Sequence, residues 1–127
     1  MRQAVALFGE AEKGDFRTAH YCRDLDELER LLGHPPPESR GLYFAIQALL
    51  FNRLLIYFRV PEEGFCRDEY RLGLQMLRDH EGDPRLAAIG LPGVGDSEII
   101  AASRPLCERH NSLLLFTESD LYDFLTS

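Results

Sequence analysis

The chain has 127 residues, enough for one domain with a single core, and its hydrophobic (45%) and charged (28%) fractions are those of an ordinary globular protein. Lys and Arg number 14 against 21 Asp and Glu, a net charge of −7. With no basic block to meet a phosphate backbone, nucleic acid is not an expected partner.

No apolar run is long enough to span a bilayer, so no membrane partner is expected. The opening "MRQAVALFGE" lacks the long apolar stretch and small-residue cleavage site of a signal peptide, which makes the cytoplasm the expected compartment. Cys22, Cys66 and Cys107 are widely spaced, with no C-x-x-C pair, and read as reduced, mostly buried thiols.

Gln3 to Glu10 is a short apolar run ending near Gly9 and reads as a buried strand. The following loop contains a short extended piece near Thr18 to Tyr21. In "DLDELERLLGHPPP", Leu25, Leu28, Leu31 and Leu32 recur at helical spacing. Asp24 is placed to cap that helix, with Glu27 three residues on, and Gly33 with the prolines behind it ends it. "SRGLYFAIQALLFN" predicts a helix capped by Ser39 and stopped at Asn52. Leu42, Ala45, Ile46, Leu49 and Leu50 lie on one face of it, and Tyr43, Phe44 and Phe51 cover much of the rest.

Arg53 to Val60, rich in β-branched and aromatic residues between Asn52 and Pro61, predicts a second strand. "CRDEYRLGLQMLRDHEG" predicts a helix with Tyr70, Leu74 and Leu77 inward, broken by Gly82-Asp83-Pro84. "RLAAIGLPG" is the third strand. "DSEIIAASRPLCERH" is the next helix, capped by Asp96 or Ser97, with a kink or break expected at Pro105. "SLLLFT" is the fourth strand, and "ESDLYDFLTS" closes the chain as a helix with Thr117 and Asp120 at capping-box spacing.

Continuously apolar strands alternating with helices predict an α/β domain over residues 1–127, a three-layer Rossmann-like or flavodoxin-like arrangement. Its sheet is mainly parallel, with about four strands near Val5, Ile56, Ile89 and Leu114. The loops after the strands then share one edge of the sheet, where ligands bind in such folds. On that edge Gly9, Glu10, Gly93, Gly95, Asp96 and Thr117 form the candidate site of a nucleotide- or phosphate-binding domain or enzyme.

The glycines of "GLPGVGD" invite comparison with a phosphate cradle. Their spacing is not G-x-G-x-x-G, no P-loop lysine follows, and Asp96 and Glu98 would face the anion. Turn geometry at the glycines and capping by Asp96 account for every residue. Glu10, Glu62, Glu63, Asp96 and Glu118 could form an acidic rim of the kind that holds Mg²⁺; Glu10 and Glu12 fit a phosphoacceptor module loosely, while Asp96 lies too far into its loop. Lys13 is the only lysine and does not complete such a module; helix-start acids are favoured by the helix dipole alone. The Cys107–His110 and His20–Cys22 pairs fall short of a zinc site, and no Ser-His-Asp arrangement or G-x-S-x-G is present. No catalytic residue, metal or cofactor is therefore assigned.

Four pieces of the chain, read in order, resemble the core of contractile phage tail sheath proteins. "AVALFGEAEKG" is similar to that family's opening strand and glycine loop. "DLDELERLLG" is similar to its helix ending in Phe/Leu-Gly. "LYFAIQALLFNRLLIYFRV" is similar to its helix and the strand ending in Arg-Val, and "LAAIGLPGVGDSEII" to its strand–Pro-Gly-Val–helix piece. "LLLFTESDLYDFL" stands for the strand and helix that follow. Arg53 and Leu54 occupy positions where glycines are expected. The resemblance implies a Rossmann-like core used as a structural brick without bound nucleotide. Sheath subunits are much longer and polymerise through terminal arms that these 127 residues do not include, so the likeness bears more on fold than on assembly. The expected function is a non-enzymatic structural or protein-interaction module, with another protein or a second copy of the chain as partner.

Overall fold

Ala4–Gly9 forms the first strand, β1, and every residue in it is buried. Alternate residues of a strand face opposite sides of the sheet. Val5 and Leu7 accordingly enter one apolar cluster, while Ala4, Ala6 and Phe8 enter another. A strand apolar at every position is the local cause of a sheet covered on both faces. The computed structural model describes residues 3–79 and 85–127, so the expected break at Gly82-Asp83-Pro84 lies outside the described residues.

Along the chain follow β2 (Ala19–Cys22), α1 (Leu25–Leu32), α2 (Gly41–Leu50), β3 (Leu54–Arg59) and α3 (Arg67–Arg78). Then come β4 (Leu86–Gly90), α4 (Ser97–His110), β5 (Leu113–Leu115) and α5 (Glu118–Thr126). The sheet has five strands in the order β2-β3-β1-β4-β5. β1 pairs in parallel with β3 and β4, and β4 with β5, as predicted for the strands around Val5, Ile56, Ile89 and Leu114. The expected count of about four is corrected by β2, which pairs antiparallel with β3 as an edge strand.

One cluster unites Val5, Leu7, Leu55 and Tyr57 with Leu28 and Leu32 of α1, Leu42 and Phe44 of α2, and Leu121 and Phe124 of α5. The other joins Phe8, Ile56, Phe58 and Ile89 to Tyr70, Leu74 and Leu77 of α3 and to Ile99 and Leu106 of α4. A register shift between Ala4 and Val5 sets Ala88, not Ala87, opposite Val5. Both alanines consequently belong to the first cluster, as two residues facing one do at a bulge.

Asp24 caps α1 through its Oδ1, which accepts from the Glu27 N–H at 2.9 Å. The helix α2 departs from expectation at its start and on one face. Ser39 does not cap it: its hydroxyl donates to the Pro36 carbonyl at 2.7 Å, and the N-cap is Arg40, with no side-chain cap of its own. Phe44 and Ala48 are buried, Ile46 and Leu49 only partly so, and Leu50 is 61% exposed. A helix nearly free of polar residues carries little periodic information about which side faces the core, and packing decides it. Asn52 takes a φ of 61° just after the helix, a conformation asparagine tolerates.

Of the kink or break expected at Pro105, the break is absent: α4 runs as one helix from Ser97 to His110. Proline removes the donor to the Ala101 carbonyl, but Ala101 and Pro105 are both exposed, so water replaces that bond. Among the described residues no helix is long and apolar enough to cross a membrane.

Candidate functional site

Connections from β1 lead to β3 on one side, and β4 and β5 lie on the other. The strand order therefore reverses at β1, and a crevice beyond its carboxyl end is where open parallel sheets take ligands. The residues around that crevice are Gly9-Glu10 after β1, Pro61 to Gly64 after β3, and Leu91 to Asp96 after β4.

The loop after β3 must cross the end of β1 to reach α3 and β4, and Glu63 occupies the crossing. Its Oε2 accepts from the backbone N–H of Glu10 and of Gly41, each at 2.9 Å, and its Oε1 accepts from the N–H of Arg40 at 2.8 Å. The contact is reciprocal, because the Glu63 N–H donates to Glu10 Oε2 at 3.0 Å. Three donors from two separate segments thus converge on one carboxylate, which serves as the missing cap of α2.

Beneath Glu63 the backbones of Gly9 and Gly41 approach too closely for side chains. A Cβ on Gly9 would lie 2.5 Å from the Gly41 Cα and 2.8 Å from Glu63 Oε2, and would also collide with the Tyr57 hydroxyl. That hydroxyl is fully buried and donates to the Glu10 carbonyl at 2.8 Å. Burial, reinforced by the nearby Glu63, Tyr70 and Glu10, pushes the Tyr57 phenol well above its ordinary range, so it stays a neutral donor. Tyr70 accepts from the Gly64 N–H at 2.8 Å, and burial pushes its phenol up to about 12.

"LPGVGD" is a turn followed by a cap. The Val94 N–H donates to the Leu91 carbonyl at 3.1 Å across Pro92-Gly93, with Gly93 at φ 82°, the pattern of a type II turn. Gly95 is not among the residues with positive φ, and a Cβ there would meet nothing within 4 Å. Asp96 caps α4: its Oδ1 accepts from the Glu98 N–H at 2.9 Å and its Oδ2 from Arg67 Nε at 2.7 Å. The Arg67 guanidinium, with help from the Glu98 N–H, holds the Asp96 carboxyl below its usual range. Glu98 completes the link between the starts of α3 and α4 through Arg67 and Arg71.

At β5 the expected capping box is present. Thr117 Oγ1 accepts from the Asp120 N–H at 3.1 Å, while Asp120 Oδ2 accepts from Phe116 N at 2.9 Å and Thr117 N at 3.1 Å. Those N–H donors hold Asp120 below the ordinary carboxylate range.

The six candidate residues are therefore not one open cradle. Gly9 and Glu10 meet Glu63 at the crossing, and Gly93 lies beside the Glu63 backbone. Asp96 and Thr117 are each bound into the start of a helix of their own. A recess of ≈ 220 Å³ lies between the starts of α3 and α4, lined by Gly64, Arg67, Val94 and Asp96 among others. Among the described residues no group of three or more His, Cys, Asp or Glu is placed to hold a metal ion. His20 Nε2 instead hydrogen-bonds the Asp15 carbonyl at 2.9 Å. Of the three thiols expected to be mostly buried, Cys22 alone is, pushed up to about 11 by burial and then by Glu27; Cys107 is half-buried, and Cys66, at the N-cap of α3, is exposed.

The sequence pattern includes Glu63 in the acidic rim but gives no sign of its capping role, because its partners Arg40 and Gly41 lie 23 and 22 residues upstream. No protein-family model, curated protein or solved structure matches the chain.

Proposed function

We propose that the chain is a non-enzymatic structural or protein-interaction module, built as a three-layer Rossmann-like or flavodoxin-like domain and similar in kind to the tail-sheath core its sequence resembles. The observation that carries this reading is the Glu63 carboxylate at the reversal of strand order, accepting from Glu10, Arg40 and Gly41. An anionic ligand in a parallel sheet uses such backbone donors at a helix start. Here the chain's own carboxylate uses them, and Asp96 and Asp120 do the same at α4 and α5. Apolar clusters on both faces of a mainly parallel sheet support the three-layer arrangement. Three free cysteines are in keeping with a cytoplasmic home.

The test is a thermal-shift panel of ATP, NAD, inorganic phosphate and Mg²⁺. A ligand present at a hundred times its Kd stabilises the folded state by about 2.7 kcal/mol, a readily visible rise in Tm. The expected result is no rise with any of them. A saturable rise with a nucleotide or with phosphate, abolished by substitutions at Gly93 or Arg40, would replace this reading with a ligand-binding domain.

A further inference from the structure

Resting on the interaction-module reading, we infer that the groove between α2 and α5 docks an amphipathic helix of another protein, one that carries lysine or arginine beside its apolar face. The helix α2 contains no charged residue. A helix of that composition is ordinarily covered on most sides. Here its cover is incomplete: Tyr43 is 45% exposed and Phe51, at its C-cap, is 40% exposed, while Tyr122 of α5 is 66% exposed. Between the two helices lies a groove of ≈ 140 Å³, with Tyr43, Gln47 and Phe51 on one bank and Glu118, Leu121 and Tyr122 on the other. From Tyr43 to Phe51 the bank runs ~12 Å, two turns of helix, the span over which i, i+3, i+4 and i+7 anchors of a docked helix repeat.

Charge selects the occupant. Within α2 and α5 the charged residues are Glu118, Asp120 and Asp123, all acidic. Of the two arginines flanking α2, Arg53 has its guanidinium over the Phe124 ring, 5.3 Å from the centroid, and Arg40 stands at the N-cap. A second copy seated in this groove would bring acidic α5 banks together in a chain that already carries −7, so self-association through this face is opposed by like charge. An anionic membrane surface is opposed for the same reason. A helix with an apolar stripe for the tyrosines and leucine, and lysine or arginine for Glu118, the charged residue lining the groove, meets both requirements.

The experiment is fluorescence anisotropy with a labelled helical peptide carrying leucines at i, i+3, i+4 and i+7 and lysines at the exposed positions. Controls are the same peptide with glutamates in place of the lysines, and a scrambled peptide of identical composition. The lysine peptide is expected to bind at least about tenfold more tightly than either control, with Tyr122→Ala and Glu118→Lys each weakening it by about tenfold. Both positions are exposed, so circular dichroism is expected to stay at parent values, as is the Tm of Tyr122→Ala, while Glu118→Lys, in the first turn of α5, lowers Tm slightly through the helix dipole. Equal binding of the scrambled or acidic peptide, no binding at all, or binding that both variants leave intact would overturn the assignment of the groove. So would a concentration-dependent dimer that Tyr122→Ala abolishes, which would make the occupant a second copy. A nucleotide-induced rise in Tm, with peptide binding intact, would instead sink the module reading and leave the groove standing.

Discussion

Glu63 and Gly41 lie 22 residues apart in the chain, yet the carboxylate of one caps the helix that begins with the other, at 2.9 Å. The same carboxylate ties that helix start to the end of β1 through the Glu10 N–H. One side chain thus joins three segments around the carboxyl end of the central strand.

Replacing Glu63 with Ala leaves the N–H groups of Glu10, Arg40 and Gly41 without their acceptor. Arg40 is exposed and Glu10 partly so, and water recovers part of the loss at both, while Gly41 is buried. The expected cost is about 1–3 kcal/mol in chemical denaturation. Glu63→Gln keeps one oxygen for Glu10 and Gly41 but turns an amide N–H₂ toward the Arg40 N–H, so its cost should fall between parent and Ala. A loss for Glu63→Ala below about 0.5 kcal/mol, the level of an ordinary surface change, would refute the capping role.

The contact beneath Glu63 makes a second test. Gly9→Ala and Gly41→Ala each place a methyl group against the Tyr57 hydroxyl and the opposite glycine backbone. Overpacking of this kind costs typically about 1–3 kcal/mol. Tyr57→Phe removes the oxygen both methyl groups strike, so the double variant Gly41→Ala/Tyr57→Phe should be less destabilised than the sum of its parts. Strict additivity in that cycle would mean that Gly41 and Tyr57 do not meet.

Part of this arrangement is legible in the sequence, and the divide between legible and hidden is physical. The strands β1, β3 and β4 are apolar at consecutive positions, and Asp24, Asp96 and Thr117 stand within three residues of the N–H groups they satisfy; both signals are local. Ser39 sits where a cap belongs by the same local rule, but its hydroxyl finds the Pro36 carbonyl and the cap arrives from Glu63. No spacing rule reaches across a strand and a loop. The edge strand β2 is legible only as the short extended piece near Thr18 to Tyr21, since of its four residues only Cys22 is buried and its pairing with β3 is what makes it a strand.

The face of α2 is where periodicity fails most plainly, and it yields a third prediction. Leu42 is fully buried, whereas Leu50, eight residues on and by pattern on the same face, is 61% exposed. Leu42→Ala should cost about 2–5 kcal/mol. Leu50→Ala should stay within about 0.5 kcal/mol of the parent in the same urea titration. Similar losses for the two would mean that Leu50 is covered in solution.

Within "GLPGVGD" the two glycines should behave differently. Gly93 has φ 82°, a conformation that costs a residue with a Cβ roughly 1–2 kcal/mol, so Gly93→Ala should lose about that much. Gly95 lies outside the positive-φ region with open space around it, so Gly95→Ala should be neutral or slightly stabilising. The turn assignment fails if thermal unfolding ranks the two variants the other way.

Asp120 supplies the pH dependence. Its carboxylate accepts from Phe116 N and Thr117 N, and these donors lower its folded pKa below the unfolded value of about 3.9. A group depressed in the folded state contributes stability that is fully present above its unfolded pKa and is lost as pH falls through its folded pKa. Stability should therefore fall with acidification below roughly pH 4, and Asp96, held down by Arg67, should add to the same slope. In Asp120→Asn the side-chain oxygen still accepts but no longer titrates, so stability at pH 7 should drop modestly while its fall between about pH 4 and pH 2 becomes shallower. Denaturation midpoints of parent and variant across that range decide the matter. Parallel curves, offset by a constant amount, would show that Asp120 keeps an ordinary carboxylate pKa in the folded protein and that the capping box does not depend on its charge.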